Sequence, residues 1–404
     1  MRGGIRTRSF GTTVMAHSHV TFETGVGELH YPTQTAAWAD YDLDGHLDLY
    51  IGNETTKALR APAQLFHNNG DGTFENVAAR AAVTNLRFTK AVTWGDYNAD
   101  RWPDLFVSNL RGANRLYQNN GDGTFTDKAA ELGVTDPRAS FPAWFWDFDN
   151  DGHLDLFVSA YSADITHIAA SYLNLPLDIE MAALYRGDGR GGFDNVATKT
   201  GLTRPTAPMG ANFGDLDNDG YLDFYLGTGY PDYEELMPNV MYLNRDGERF
   251  LDVTSIGGFG HLQKGHGIAF VDFDGDGDQD VFEQMGGALA GDSFEDVLYE
   301  NPGFGNHWLA IRLIGRETNR SAIGSRIRVE IREAGNIRSV YRHVNSGGSF
   351  GANPLEQTIG LGKAEEIIAV EIYWPKTDRR QTLRDVPLDR RLVILESGAW
   401  FVFE

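Results

Sequence analysis

The stretch DFDGDGDQD, which begins at Asp272, places carboxylates at every second position of a short run that contains two glycines. Alternate side chains of a tight loop can turn toward one point, and Ca²⁺ takes six to eight hard oxygen ligands at about 2.3–2.6 Å. Glycine permits the sharp turn that such a loop needs, because it tolerates positive φ. The stretch therefore predicts a calcium-binding loop.

This acidic pattern occurs five times in the chain. The copies DYDLDGHLD, DYNADRWPD, DFDNDGHLD, DLDNDGYLD and DFDGDGDQD begin at Asp40, Asp96, Asp147, Asp215 and Asp272. They are 51 to 68 residues apart, a spacing that is typical of an internal structural repeat. Calcium, as four or five ions, is the expected cofactor, and no organic cofactor is expected.

The predicted ligands occupy positions one, three, five, seven and nine of each copy, with position seven contributing its backbone carbonyl. They are Asp40, Asp42, Asp44, His46 and Asp48; Asp96, Asn98, Asp100, Trp102 and Asp104; Asp147, Asp149, Asp151, His153 and Asp155; Asp215, Asp217, Asp219, Tyr221 and Asp223; and Asp272, Asp274, Asp276, Asp278 and Asp280. Without a cation, carboxylates this close together would repel one another strongly.

Only the fifth copy also fits the calcium loop of an EF-hand, which closes with a glutamate at position twelve. Glu283 stands there, whereas the other copies carry Ile51, Val107, Val158 and Leu226. All five copies share Asp at position nine, and each runs into a β-branched or aromatic segment typical of a strand. The match of the fifth copy to an EF-hand is therefore coincidental.

The second copy departs from the pattern at two positions. Asn98 replaces an aspartate, and Arg101 stands where the others have glycine. The loop has one carboxylate fewer and a more costly turn, so it is predicted to be the weakest site.

Each acidic loop lies between two strand-like runs, and a hairpin motif such as LFHNNGDGTFENVA follows. Four short strands per repeat of this length are typical of a β-propeller blade. The segment 20–27 reads as a lone strand that would close the ring.

These repeats, from about residue 20 to 301, resemble FG-GAP/VCBS repeats, which implies a calcium-binding β-propeller. NHWLAIRLIG, SRIRVEI, TIGLG and EIIAVEIYWP, within about residues 305–396, resemble the ASPIC/UnbV domain found after such repeats in the cartilage acidic protein family. The resemblances imply an all-β fold: a tail (1–19), propeller blades (20–304) and a C-terminal β-domain (305–404). The C-terminal strands would supply two further blades, giving seven; the alternative is a separate β-sandwich docked beside the propeller.

Composition limits the class of partner. The net charge is −22, and residues 305–404 hold 15 Lys/Arg against 12 Asp/Glu, so the acidity belongs to the repeats. Nucleic acid is an unlikely partner for such a chain. There is no cysteine, and no apolar run is long enough to span a membrane. The first residues do not read as a signal peptide, so a cytoplasmic location is expected if the N-terminus is complete and secretion if it was trimmed.

Long insertions between the second and third strands of repeats three to five fall on the face opposite the acidic loops, and the first of them is partly helical by its apolar spacing. This face is expected to bind a small-molecule ligand or a protein partner. The alternative is a redox-independent enzyme of natural-product biosynthesis, a cyclase, isomerase or C–C bond-forming catalyst with an acid/base pocket. Catalytic candidates are Tyr161, Asp164, His167, Glu234, His261, His266 and Glu283; substrate-binding candidates are Trp144, Tyr230, Tyr233 and Lys264.

Overall fold

Each acidic repeat folds as an antiparallel sheet in the computed structural model, which describes residues 21–232, 236–287, 289, 291, 293–345 and 347–403. Sheet one contains β1 (Thr33–Ala39), β2 (Asp48–Asn53), β3 (Gln64–Asn68) and β4 (Phe74–Asn76), and sheet two contains β5 (Thr89–Gly95), β6 (Asp104–Asn109), β7 (Arg115–Asn119) and β8 (Phe125–Asp127). In both sheets the strands pair in chain order, as the four-strand repeat predicts.

Sheets three to five continue the same plan. Sheet three contains β9 (Ser140–Trp146), β10 (Asp155–Ala160), β11 (Ala183–Gly187) and β12 (Phe193–Asn195), with α1 (Ile165–Tyr172) between β10 and β11. Sheet four contains β13 (Pro208–Gly214), β14 (Asp223–Thr228), β15 (Val240–Arg245) and β16 (Arg249–Asp252), and sheet five contains β17 (Gly265–Val271), β18 (Asp280–Met285) and β19 (Val297–Tyr299). The helical part of the insertion in repeat three is thus confirmed.

The position-nine aspartate opens the second strand of every sheet. It pairs with the last residue of the first strand, as in Trp146 opposite Asp155 and Gly214 opposite Asp223. Each acidic loop is therefore the connection of one antiparallel hairpin. All five loops lie at the same end of the array.

Buried apolar side chains join consecutive sheets. Each of the four junctions has its own cluster, represented in order by Trp94, Phe145, Trp146 and Phe270. Burying large aromatic rings is among the strongest apolar contributions to stability. The sheets therefore pack face to face around a central channel lined by β1, β5, β9, β13 and β17.

The last hundred residues add eight strands. They are β20 (His307–Ile314), β21 (Arg326–Glu333), β22 (Asn336–His343), β23 (Gln357–Gly362), β24 (Glu366–Trp374), β25 (Arg379–Leu383), β26 (Arg390–Leu395) and β27 (Trp400–Phe403). They form two four-stranded sheets, ordered β23-β20-β26-β27 and β22-β21-β24-β25, in which β20 and β26 are parallel.

These two C-terminal sheets share one core, which includes Leu309, Val329, Val370 and Ile394. Within the described ranges, no comparable cluster joins them to sheet five or to sheet one. The all-β fold of antiparallel sheets is confirmed, but the count of seven blades is not. A shared internal core is the organisation expected of the alternative, a two-sheet sandwich.

The predicted closing strand is wrong. Residues 21–28 form turns, held by hydrogen bonds such as that from the Gly27 amide to the Thr21 carbonyl (3.1 Å). The turn still touches sheet one, because the Phe74 amide donates to the Thr24 carbonyl (2.8 Å).

A segment of the C-terminal region, 347–353, enters the channel and is here called the channel segment. Ser349 and Ala211 exchange two backbone hydrogen bonds of 2.9 Å, and the Ile268 amide donates to the Phe350 carbonyl. The Asn353 side chain accepts from the Phe270 amide (2.9 Å). The segment thus adds to the inner edges of sheets four and five.

None of the described helices has the length and apolarity that a membrane crossing needs.

Candidate metal centres and ligand cavity

The position-nine aspartate of each acidic loop is fixed by two backbone amides. Asp155 accepts from the Phe148 amide (3.0 Å) and, through its other oxygen, from the Gly187 amide (2.9 Å). Asp223 accepts in the same way from Leu216 and Asn244. One carboxylate thus ties the loop entry to the end of the third strand, which makes the loop geometry part of the sheet.

In loops one and four, the position-one aspartate holds the turn through one oxygen, while its other oxygen accepts no hydrogen bond. Asp40 Oδ2 accepts from the Gly45 amide and Asp215 Oδ2 from the Gly220 amide, both at 3.1 Å. The Oδ1 atoms of both aspartates are buried and have no hydrogen-bond partner. A buried carboxylate oxygen without a partner is costly, so these atoms fit a cation ligand.

Four of the five loops gather their carboxylates closely. Ligand oxygens of three aspartates lie within 4.8 Å of one another in loops one, three, four and five. The groups are Asp40, Asp42 and Asp44; Asp147, Asp149 and Asp151; Asp215, Asp217 and Asp223; and Asp272, Asp274 and Asp276. Oxygen-only clusters of this kind suit calcium, which these loops would hold through the carboxylates and the position-seven carbonyl.

Burial and mutual repulsion raise the pKa values of these carboxyls. Burial, then Asp44 and Asp42, raises the pKa of Asp40 to about 7; burial, then Asp215 and Asp217, raises that of Asp219 to about 8. Burial is the larger cause in each case, and a bound cation would reverse both effects.

Loop two differs as the sequence predicts. Arg101 adopts φ +79°, where loops one and three have Gly45 and Gly152. The Asn98 amide donates to Asp100 (2.8 Å), so that side chain is engaged within the loop. Loop two has no three-carboxylate group among the described residues. That it is the weakest site remains a prediction.

The C-terminal sandwich docks on the acidic loops, a contact that sequence reasoning missed. The Arg342 guanidinium, 4% exposed, pairs with Asp215 at 2.8 Å, and the Gly360 amide donates to the same carboxylate oxygen (3.0 Å). Arg391 pairs with Asp272 of loop five. The Tyr341 amide donates to Asn150 of loop three (3.1 Å). The acidic face is thus covered by cationic and amide groups of the last hundred residues.

Among the residues that the structure describes, the contacts of the insertion-face candidates do not define one acid/base pocket. Asp164 caps the N-terminus of α1, accepting from the Thr166 and His167 amides, and the His167 ring returns to the cap. This hydrogen bonding, above all from the Thr166 hydroxyl, lowers the pKa of the Asp164 carboxyl to about 2. Both side chains therefore have a helix-capping role.

Tyr161 and Tyr230 do come together, with rings stacked 5.2 Å apart. The Tyr161 hydroxyl donates to the Gly229 carbonyl (3.2 Å), and both rings join an apolar cluster with Ile168 of α1. Trp144 is fully buried in the cluster between sheets three and four rather than at the channel mouth. These three aromatic residues pack the insertions and the core.

The remaining candidates are scattered. His261 accepts from the Gln263 amide and contacts the Phe294 ring; Lys264 donates to the Asp232 carbonyl (2.8 Å). His266 lines a shallow depression beside sheet five. Tyr233 and Glu234 lie outside the described residues.

Glu283 is completely buried between sheets four and five. The Tyr225 hydroxyl lies 2.7 Å from the Phe259 carbonyl and 3.0 Å from Glu283 Oε2. The hydroxyl has one proton, which it donates to the carbonyl, because a carbonyl only accepts. A neutral Glu283 then completes this row of hydrogen bonds by donating its own proton to the Tyr225 oxygen. Burial raises the pKa of Glu283 to about 8. Glu283 is part of the sheet interface and contributes neither to an acidic loop nor to the opposite face.

A cavity of about 450 Å³ lies in the channel, between β1 and β5 on one side and the C-terminal sandwich on the other. Trp38, 45% exposed, forms part of its wall, and Asp96, Arg326 and His343 bring polar groups to it. Burial, with Arg326 nearby, lowers the pKa of His343 to about 3, so its imidazole is neutral. The C-terminal half of this lining could not be assigned from the repeats, because it is far away in sequence.

Two family models match the chain. Residues 40–107, 96–158 and 176–226 match the FG-GAP-like repeat, and residues 315–399 match ASPIC and UnbV. The chain is therefore a protein of FG-GAP-like repeats followed by an ASPIC/UnbV domain, and the predicted resemblance is confirmed.

Its curated relatives include cartilage acidic protein 1. The chain is 26% identical over 392 residues to that protein of Homo sapiens and 27% identical over 393 residues to that of Mus musculus, covering 93% of this chain and 55% and 56% of the relatives. It thus spans about half the length of the curated relatives it matches. A similar solved structure is the V. cholerae biofilm matrix protein Bap1, with a TM-score of 0.41, 10% identity and coverage of 93% of this chain and 61% of that one.

Proposed function

We propose that this protein is a calcium-stabilised, β-propeller-type binding protein whose ASPIC/UnbV sandwich docks on the calcium loops. The observation that carries the proposal is the pair of buried, unpartnered oxygens, Asp40 Oδ1 and Asp215 Oδ1, inside clusters of further carboxylates. A bound metal cation, which is calcium where all the ligands are oxygens, would satisfy these oxygens and offset the repulsion within each cluster.

Calcium would also stabilise the junctions between sheets. The Asn244 side chain donates to the Phe148 carbonyl of the preceding loop (2.8 Å), and Asn301 donates likewise to the Leu216 carbonyl (2.7 Å). Each of these asparagines lies at the end of the third strand, beside the position-nine aspartate. An ordered loop therefore supports its own sheet and the next one.

An extracellular location agrees with this proposal. The relatives carry the name cartilage acidic protein, and the calcium sites of extracellular modules have dissociation constants of about 10⁻⁴–10⁻³ M. We infer secretion on that basis.

The test is a calcium titration of chelator-treated protein, followed by thermal unfolding and by counting bound ions. We expect three to four ions per chain and a clear rise of the melting temperature, with Mg²⁺ at equal concentration as the control for ionic strength. An unchanged melting temperature would rule out structural calcium.

For the ligand, we infer that the channel cavity is the binding site rather than the insertion face. Its features are complementary to a small organic carboxylate: an exposed indole at Trp38, and a guanidinium at Arg326 that makes no hydrogen bond among the described side chains but stacks on Tyr373 at 4.4 Å. Guanidinium pairs with carboxylate in a bidentate geometry.

Aryl and alkyl carboxylates should raise the melting temperature of calcium-loaded protein, and their amides should not. Arg326→Met should abolish the rise, with Arg328→Met, on the same strand, as the matched control. Equal responses to acids and amides would contradict this assignment.

A further inference from the structure

One position of the third strand faces the acidic loop in each repeat, and its residue differs from sheet to sheet. It is the residue before the turn in LFHNN, LYQNN, LYRGD, MYLNR and LYENP. The five residues are His67, Gln118, Arg186, Leu243 and Glu300. The loops thus share their aspartates but differ in this facing group.

In loop three the facing group is already a cation. Arg186 Nε lies 2.6 Å from Asp149 and its Nη2 lies 3.2 Å from Asp151. The contact shows that a side chain at this position reaches the ligand oxygens of its loop.

In loop one the facing group is an imidazole. His67 Nδ1 lies 3.3 Å from Asp42 Oδ2 and 3.3 Å from Asp48 Oδ1. The nitrogen is buried, yet its geometry gives it no hydrogen bond to either oxygen. The nitrogen and the two carboxylates all lie within 4.8 Å of one another.

A second observation points to the same place. Asp40, only 2% exposed, shares loop one with Asp42 and holds the unpartnered Oδ1 described above. Neighbouring ligands of an ion with bonds of about 2.1 Å stand about 3 Å apart. The separations around His67 Nδ1 are close to that value, so an ion there would give the unpartnered nitrogen a ligand bond, and its charge would offset that of Asp40 in the same loop.

We propose that loop one is a mixed nitrogen–oxygen site for a first-row transition-metal dication of the Zn²⁺ or Co²⁺ class, with His67 Nδ1, Asp42 and Asp48 as ligands. Imidazole favours such ions, whereas Ca²⁺ takes oxygen ligands. Loops three to five, which present Arg186, Leu243 and Glu300, remain calcium sites. This inference rests on the proposed function, namely that the loops bind metal ions.

The test is a Co²⁺ titration in saturating Ca²⁺, followed by calorimetry and by the visible absorption of bound Co²⁺. His17 and His19, outside the described residues, are first replaced by glutamine so that they cannot bind the probe. We expect one Co²⁺ per chain to bind despite the calcium. His67→Gln, which installs the residue of sheet two, should weaken that site by more than tenfold, since changes to less direct partners of a metal already cost 10–100-fold.

The melting temperature of His67→Gln in calcium shows whether the variant is folded, and a calcium titration shows whether the other loops still bind. Intact calcium binding with an unaltered Co²⁺ site in the variant would overturn the assignment of His67 alone. The absence of any calcium-resistant Co²⁺ site in the protein with only His17 and His19 replaced would overturn the loop-one proposal as a whole. If that same protein bound no calcium at all, the proposed function itself would be overturned.

Discussion

Loops four and two carry the same nine-residue pattern in different surroundings. In loop four, Asp215 is fully buried under the C-terminal sandwich and has Arg342 and the Gly360 amide as partners. In loop two, Arg101 takes the left-handed turn and Asn98 bonds within the loop. The comparison teaches that the pattern fixes the backbone, whereas the neighbours decide whether the loop must hold a cation.

Calcium removal should produce the largest difference in stability between the hairpins of loops four and two. Each site saturated at about 100 times its dissociation constant contributes about 2.7 kcal/mol to the free energy of unfolding. We therefore expect chelation to reduce amide-exchange protection in β13 and β14 far more than in β5 and β6. Equal losses in both hairpins, measured by hydrogen–deuterium exchange, would show that loop two binds calcium as well as loop four does.

Arg342→Met tests the other partner of loop four. Removing one member of a buried ion pair costs about 3–5 kcal/mol, because the remaining charge stays buried. We expect a loss of this size in calcium-free protein and a smaller one with calcium, which also neutralises Asp215. Denaturant unfolding measures both values, and the exposed Arg332, paired with Glu366 on the sandwich, provides the control variant Arg332→Met.

Glu283 is a buried carboxyl between sheets four and five that has no cation partner among the described groups. Its folded-state pKa of about 8 exceeds the unfolded value of about 4.3, so the folded state binds the extra proton between them. Stability should fall as pH rises from about 5 to 8, by up to about 1.4 kcal/mol per pH unit.

Glu283→Gln should flatten this dependence in calcium-saturated protein, since the amide stays neutral at every pH. The measurement is urea unfolding at several pH values for both proteins. Parallel pH profiles would mean that Glu283 is ionised in the folded protein.

Arg101→Gly should have the smallest effect and the opposite sign. Left-handed backbone costs a side-chain-bearing residue about 1–2 kcal/mol, and glycine avoids this cost. We expect loop two to gain about 1 kcal/mol of stability. Combining this change with Asn98→Asp should add one bound calcium ion, counted by titration. If no ion is added, Arg101 and Asn98 are not the cause of weak calcium binding in loop two.

The sequence predicted the features that recur. Five acidic loops, four-strand repeats and the helix in the insertion of repeat three follow from spacing and turn residues, and the comparison with known families agrees. Segment 20–27 failed as a strand because its apolar alternation is too short to overcome local turn formation. His67 could have been singled out by aligning the five third strands, since only this repeat places an imidazole there.

Contacts between distant parts of the chain could not be predicted. Arg342 pairs with a residue 127 positions away, and nothing in the alternating pattern of β22 marks that arginine as buried. For the described candidates at the insertion face, local contacts rather than distant ones explain why no pocket forms. Asp164 and His167 are three residues apart, and the first turn of α1 satisfies both locally.

The channel segment has a consequence for synthesis. The Asn212 side chain bonds that of Asn353, 141 residues later, at 2.8 Å. The inner edges of sheets four and five therefore stay open on the ribosome until residues 347–353 emerge. At about 5–20 residues per second, this interval lasts several seconds or more. A chain terminated early would carry five formed hairpins and an unsealed edge that invites pairing with another molecule.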